Sequence, residues 1–300
     1  MTATNANPSA GWRMKVAAFS LAVSIFAVLW FVVAALGTKF GLWPWQVGLG
    51  QMTFGFGPMI TMGAIFLALV AQVISIIKAP RKQPFILSLA ATLIAAMLLF
   101  RLNAMGVQSA ALPPIHDIQT DWSDPIAYSD TMMTRRSEDG ALNPVEAAPL
   151  INLPNDAYKA RWPGMHERLV SEVQEEAEAK PQGKKATVYP TIEPLYFSAE
   201  PAAMADLVTR LIKKKSWELV TPVPENIADL DEFQIEATAT SGWFGFKDDV
   251  AIRIRAVEGA VRVDMRSVSR VGLSDLGANS KRVAGFMNEL KDRGNGRLAP

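Results

Sequence analysis

The chain has 300 residues, half of them hydrophobic, and a formal net charge of +1, a balance that gives no electrostatic footprint for nucleic acid. It has no cysteine, which excludes disulfides, thiolate metal sites and a cysteine nucleophile, and its two histidines, His116 and His166, leave little material for a histidine-based metal site or triad. Nearly all of the hydrophobic excess lies before Gly106, so the chain reads as a membrane part followed by an ordinary water-soluble part.

Three apolar runs occupy residues 1–106: Val16–Gly37, Gly57–Ile77, and Pro84–Phe100, the last extending to Met105 if Arg101 snorkels to the headgroups. A helix of about 20 mostly apolar residues crosses a hydrocarbon core of about 30 Å, so spans are expected at about 16–37, 57–77 and 84–105. The first run is too long for the apolar region of a cleaved signal peptide, and two more follow it, so it reads as a retained signal anchor. Arg13 and Lys15 precede the first span, Lys78, Arg81 and Lys82 fill the second connection, and the first connection carries only Lys39. This bias places the N-terminus and the second connection in the cytoplasm and everything after Met105 outside. Trp43 and Trp45 suit the outer interface. The glycine-rich stretch Gly48–Gly57 reads as a close helix contact, a re-entrant turn or a flexible loop. No Asp, Glu or His lies within the spans, which argues against an ion or proton pathway and for an anchor.

Residues 107–190 are irregular and proline-rich, with one expected helix over Gly164–Ala179 that carries His166 on its surface. They read as an extended segment wrapped on a surface, or a linker. Regular rhythm begins in the segment 191–300. Thr191–Phe197 is a strand candidate. A helix follows, with Ser198 as its cap, Pro201 in its first turn, and Met204, Leu207, Val208, Leu211 and Ile212 as its apolar stripe. Trp217–Val223, Glu232–Ser241, Asp249–Val257 and Ala260–Ser269 read as strands. The last helix, Ala278–Arg293, turns Val283, Phe286, Met287 and Leu290 to one side.

Glu258 and Gly259 fit a two-residue hairpin loop, which sets the register. Ile252, Ile254, Val263 and Met265 then share the core face, and Arg253, Arg255, Arg262, Asp264 and Arg266 share the other. Arg253 falls opposite Asp264. Arg255 falls opposite Arg262, a like-charge pair that needs an acid or an external anion between its members. Glu236 on the preceding strand has the right parity to be that acid.

Three blocks, "PPIHDIQTD" at Pro113–Asp121, "GFKDDVAIRI" at Gly245–Ile254 and "RSVSRVGLSDLGANSKRV" at Arg266–Val283, together resemble the domain of unknown function 1499 family, in the right order. The resemblance runs from Pro113 to the last helix. It implies a bacterial envelope context and a membrane-anchored domain, and it supplies no mechanism. Residues from about Thr134 to Lys185 lie outside it.

The richest junction is Asp264–Arg282, where a strand gives way to a helix through Gly272 and Gly277. One reading is an anion site made by Arg255, Arg262, Arg266, Arg270 and Arg282, with Arg266, Arg270 and Arg282 gathered near a helix N-terminus. The other is a structural polar network of Asp248, Asp249, Asp264, Asp275 and Asn279 with those arginines, in which Arg270 meets Asp275, and Asp275 or Asn279 caps the helix. Asp248 and Asp249 are adjacent on a strand, so they point to opposite faces and do not converge on one ion. His116, Asp117 and Asp121 match no strong metal spacing, and Ser267 and Ser269 lack a nucleophile elbow.

The expected architecture is an α-helical membrane anchor of three transmembrane helices plus an α+β domain with an antiparallel sheet. The expected function is non-enzymatic: a domain at the bacterial inner membrane, on its periplasmic side, that binds an anionic envelope component or a protein partner. The alternatives are a membrane-anchored hydrolase or modifying enzyme using the aspartates and arginines, and an assembly scaffold using the spans. Membrane lipid and an envelope protein are the expected partners; no nucleic acid, cofactor or metal is called for.

Overall fold

The computed structural model describes residues 11–77, 81–146, 148–180, 189–221 and 223–294. Backbone packing divides the chain into two compact units, Met1–Gln108 with Gly242–Gly245, and Ser109–Ser241 with Phe246–Pro300.

The first unit contains helices α1 (Gly11–Lys39), α2 (Gly57–Ile77) and α3 (Lys82–Ala111), with a π-helical stretch, Gln46–Phe56, running directly into α2. All three are long and apolar enough to cross a membrane. Their sorting of side chains suits lipid rather than water. Large apolar groups such as Phe19, Phe66 and Phe100 point outward, while Ala27, Ala64 and Ala95, one from each helix, meet in a buried cluster. Small residues let helix backbones approach closely where no hydrophobic drive joins them. The glycine-rich stretch is neither a re-entrant turn nor a loop. It is helical, and its glycines serve contact: a Cβ on Gly57 would stand 2.6 Å from the Phe31 ring, and one on Gly48 would collide with Thr38. Buried hydroxyls are satisfied within their own helices, as in Thr61 Oγ1 to the Gly57 carbonyl at 2.8 Å and Ser75 Oγ to that of Ala71 at 2.6 Å. Of the basic residues expected to orient the spans, Lys78 lies outside the described residues.

The second unit is built on a six-stranded antiparallel sheet: β1 (Asp117–Gln119), β2 (Leu195–Phe197), β3 (Glu218–Leu219), β4 (Glu232–Thr240), β5 (Lys247–Val257) and β6 (Ala260–Ser269). Its order is β1-β6-β5-β4-β3, and β2 pairs with the other end of the β6 edge that β1 occupies. The β5–β6 register is the one the Glu258–Gly259 turn dictates, with Arg253 opposite Asp264 and Arg255 opposite Arg262. Helices α7 (Pro201–Lys214) and α8 (Ala278–Arg293) pack Met204, Leu211, Ile212, Val283, Phe286 and Leu290 against Ile235, Ile252, Ile254, Val263 and Met265. The Trp217 ring stacks on Phe286 with centroids 5.6 Å apart. The cap of α7 is Glu200, not Ser198.

Residues 109–190 differ from the expectation of one helix in an extended segment. They supply β1 and three helices, α4 (Asp130–Glu138), α5 (Asp156–Arg161) and α6 (Val170–Ala179). The helix expected from Gly164 begins only at Val170, because residues 163–169 turn, with Gly164 and Glu167 at positive φ. Residues 121–146 lie across the arginine-bearing face of the sheet as a strap. Ile126, Tyr128 and Met132 pack there on Ala251 and Val268.

Candidate functional site

Strand alternation delivers the arginines of β5 and β6 to the strap side, and the strap delivers the acids. Arg266 is 1% exposed and forks onto the fully buried Asp117, with Nε 3.0 Å from Oδ1 and Nη2 2.5 Å from Oδ2. Nη1 also donates to the Ile126 carbonyl at 2.6 Å and Nη2 to that of Glu146 at 2.8 Å, and the guanidinium lies 5.5 Å from the ring centroids of both Trp122 and Tyr128. A buried charge is tolerated only when every donor is used, and here each nitrogen has an acceptor.

The outer part of the same face carries Arg253, Arg255 and Arg262. Arg255 donates to Asp124 at 2.6 Å and to Glu232. Arg262 donates to Asp264 at 2.8 and 2.9 Å and to Asp121 at 2.6 Å. Arg253 reaches Asp264 and Asp124, each at 3.2 Å. The like-charge Arg255–Arg262 pair is therefore neutralised from within the fold, by Asp121 and Asp124 of the strap and by Glu232 and Asp264 of the sheet. Glu236 is not the acid involved. It is buried, and it accepts from the Ser129 N–H at 2.8 Å, the Ser129 hydroxyl and the Gln234 amide. Burial raises its pKa, opposed by the Ser129 bonds. The Ser123 hydroxyl, then Arg262, holds Asp121 down to about 2, and Arg255 lowers Asp124.

Arg270 belongs to this face too, not to the helix terminus. It forks onto Asp249, Nε to Oδ2 at 2.9 Å and Nη2 to Oδ1 at 2.7 Å, and bonds Asp139. Arg136 from α4 takes the other side of Asp249 at 2.6 Å. The expected Arg270–Asp275 pair does not form, because alternation turns Arg270 to the strap and Asp275 lies beyond the glycine turn.

On the opposite face, at the N-terminus of α8, only Arg282 of the arginines is present, 2.5 Å from Asp248 and bonded to Ser267 at 3.0 Å. Asp248 and Asp249 thus serve different arginines on different faces. The N-cap position of α8 is Gly277, not Asp275 or Asn279; Asp275, two residues earlier, closes the turn into the helix, its two oxygens accepting from the Gly277 N–H at 2.8 Å and the Asn279 N–H at 2.7 Å. Burial pushes its pKa up to about 6. Asn279 instead lies inside the first turn and ties β6 to the segment before β1, accepting from Ser267 Oγ at 2.7 Å and donating to the His116 carbonyl and Ser269 Oγ, both at 2.9 Å. The His116 side chain is 6% exposed, burial lowers its pKa, and neither ring nitrogen completes a hydrogen bond. Among the described residues, no three His, Asp or Glu side chains are grouped to hold a metal ion.

Sequence reasoning missed Arg136, Asp124 and Asp139 as partners. Asp124 stands three residues after the "PPIHDIQTD" block, a signal at hand; nothing local marks Arg136 or Asp139, which act across more than 100 residues of chain. A family model described as "Protein of unknown function (DUF1499)" matches residues 117–290, from Arg266's partner Asp117 to the buried Leu290 of α8. No curated protein and no solved structure is detectably similar to the chain.

Proposed function

The chain belongs to the DUF1499 family, and from that premise we propose that it is a membrane-anchored domain that works by binding an anionic envelope component or a protein partner, not by catalysis. In this reading the three apolar helices hold the chain in a bacterial inner membrane, with Arg13, Lys15, Arg81 and Lys82 on the cytoplasmic side and the sheet domain in the periplasm.

One observation carries the reading: the carboxylates and arginines of the strap-covered sheet face, the densest polar cluster in the domain, are committed to one another. A general base works with a pKa near the operating pH and a free lone pair. Asp121, Asp124 and Asp139 are lowered, and Asp121 and Asp124 are tied to arginines of the sheet face. Asp275, raised to about 6, is nearer the useful range, but both its oxygens are engaged by backbone N–H groups. Such a network staples the strap to the sheet and leaves recognition to the outer surface.

Native mass spectrometry of the full chain extracted in mild detergents tests this. Retention of an anionic lipid or a protein partner in fixed ratio is the expected outcome. A chain that emerges bare from every detergent, or that turns over a hydrolysable substrate, overturns it.

A further inference from the structure

We infer that the C-terminal ends of α7 and α8 form a docking patch for the phosphate headgroups of an anionic membrane surface. The inference rests on the reading of the unit as a membrane-tethered binding domain, and it names the surface that does the binding.

Cations converge there without matching acids. Lys214 Nζ lies 2.5 Å, Lys215 Nζ 3.2 Å and Arg293 Nη2 3.1 Å from the same carboxylate, Glu289. Lys214 first, then Lys215 and Arg293, hold Glu289 down to about 2, so it stays ionised and still leaves two of the three cations unmatched. Lys213, exposed beside them, adds another. Arg210 is balanced by its neighbour Asp206, and Lys291 is offset in number by Asp292. The two helix C-termini carry about half a negative charge each, which offsets roughly one of the surplus cations and leaves about two.

This contrasts with the sheet face, where Arg253, Arg255, Arg262, Arg266 and Arg270 each meet at least one carboxylate. In a chain whose formal net charge is only +1, the surplus is local. It is also presented to solvent: Lys213, Lys214 and Arg293 are exposed, and Lys215 lies 5.9 Å from the Trp217 ring centroid, which limits its wandering.

Ammonium groups clustered within a few ångströms suit phosphate, which they bind as point charges. A headgroup layer is the phosphate source the chain keeps at hand. Its three apolar helices are long enough to cross a bilayer, and the tether is short, since α3 ends at Ala111 and β1 opens at Asp117. Tethering raises the effective concentration of such a surface, so weak single contacts suffice, and each basic side chain near an anionic leaflet strengthens attachment about fivefold.

The test uses the full chain in nanodiscs of phosphatidylcholine alone or mixed with phosphatidylglycerol. The readout is the rate of amine acetylation at Lys213, Lys214 and Lys215 by mass spectrometry, with exposed Lys159 on α5 as the internal reference. The three lysines are expected to react several-fold more slowly in the anionic discs, and the difference is expected to vanish in high salt. Glu289→Gln, which removes the local acid, is expected to widen the difference; a purely structural Glu289 would not move it in that direction. Equal rates in both discs overturn the inference. Equal protection by inorganic phosphate in phosphatidylcholine discs also overturns it, in favour of a small-anion site. Equal rates with a protein partner retained in native mass spectrometry leave the binding reading standing without this patch; equal rates with a bare chain overturn both.

Discussion

Asp117 and Arg266 sit at opposite ends of the second unit's sequence and form its most buried ion pair, a two-pronged contact at 3.0 and 2.5 Å between residues 0% and 1% exposed. Asp117 opens β1, Arg266 lies in β6, and Asp117 is paired with Val268 in the strand register, so the side chains meet diagonally on the strap side. The pair fixes how the chain enters the sheet. Breaking it by Asp117→Asn leaves a buried guanidinium short of charge, a change that costs about 3–5 kcal/mol. The double replacement Asp117→Leu with Arg266→Met is expected to recover much of that loss, since neither charge then remains buried. Thermal unfolding in detergent of Asp117→Leu, Arg266→Met and the double variant measures the coupling.

Arg270 and Arg255 separate buried from exposed pairing. Arg270 is 3% exposed and shares the fully buried Asp249 with Arg136, while Arg255 is 30% exposed and faces Asp124 and Glu232 at the rim. Arg270→Ala is expected to cost about 3 kcal/mol, because Asp249 keeps only one of its two cations. Arg255→Ala is expected to cost about 0–1 kcal/mol, the range of a solvent-screened pair. The reverse order of unfolding temperatures would show that the rim, not the buried centre, holds the strap.

How much of this was legible follows from how far each interaction reaches. The hairpin register depends on a two-residue turn and on alternation, both local, and Arg253 opposite Asp264 was readable from them. The apolar faces of α7 and α8 were readable for the same reason. The family, too, was readable, from three short blocks. Asp264 for Arg262 and Asp249 for Arg270 were among the network acids the sequence offered, but the strap partners of Arg255, Arg262 and Arg270 were not, since Asp124, Asp121 and Asp139 approach from about 130–140 positions earlier, and the pattern of charges on β6 is silent about what covers it. Proline spacing hid α4 of the strap and α5 beyond it, which are short and begin with Ser129 and Asn155 caps rather than with an apolar stripe.

Phe286 tests the other face of the sheet. It is fully buried on α8 and stacked against Trp217, so Phe286→Ala is expected to cost about 3–5 kcal/mol and to shift Trp217 fluorescence. An unchanged unfolding temperature would mean that the α8 face contributes nothing to the core.

The pH dependence of stability has two opposing parts. Asp275 has a folded pKa raised by burial to about 6, above its ordinary value of 3.8, so its contribution is present below the ordinary value and is lost as pH rises through about 6. Glu236 is shifted in the same direction. Asp121, held at about 2, and Asp124, lowered by Arg255, act oppositely: their contribution is present above the ordinary carboxylate range and is lost as pH falls through their folded values. From the carboxylates, stability is therefore expected to rise as pH is lowered from about 7 to about 5 and to fall in strong acid, with His116, whose pKa burial lowers, opposing the first change. Asp275→Asn is expected to flatten the first limb and leave the second. An Asp275→Asn profile that keeps the wild-type slope between neutral and mildly acid pH would contradict the assignment.

Orientation in the membrane is tested at the C-terminus. Basic residues near the ends of spans stay on the cytoplasmic side, because moving them across against the membrane potential and the translocation machinery is costly. Arg13 and Lys15 lie at the start of α1, and Arg81 and Lys82 lie just before and at the start of α3, while Lys39, the last residue of α1, is the one basic residue at the connection from α1 to α2. In the proposed orientation, three crossings then carry the sheet domain to the far side. Alkaline phosphatase, which folds only outside the cytoplasm, is expected to be active when fused after Pro300, and green fluorescent protein at the same site is expected to stay dark. Replacing Arg13 and Lys15 by Gln while adding three lysines between Gly41 and Gln46 is expected to invert both signals. A C-terminal fusion active only in the cytoplasm would reverse the orientation and move the sheet domain, with its cationic patch, to the inner leaflet.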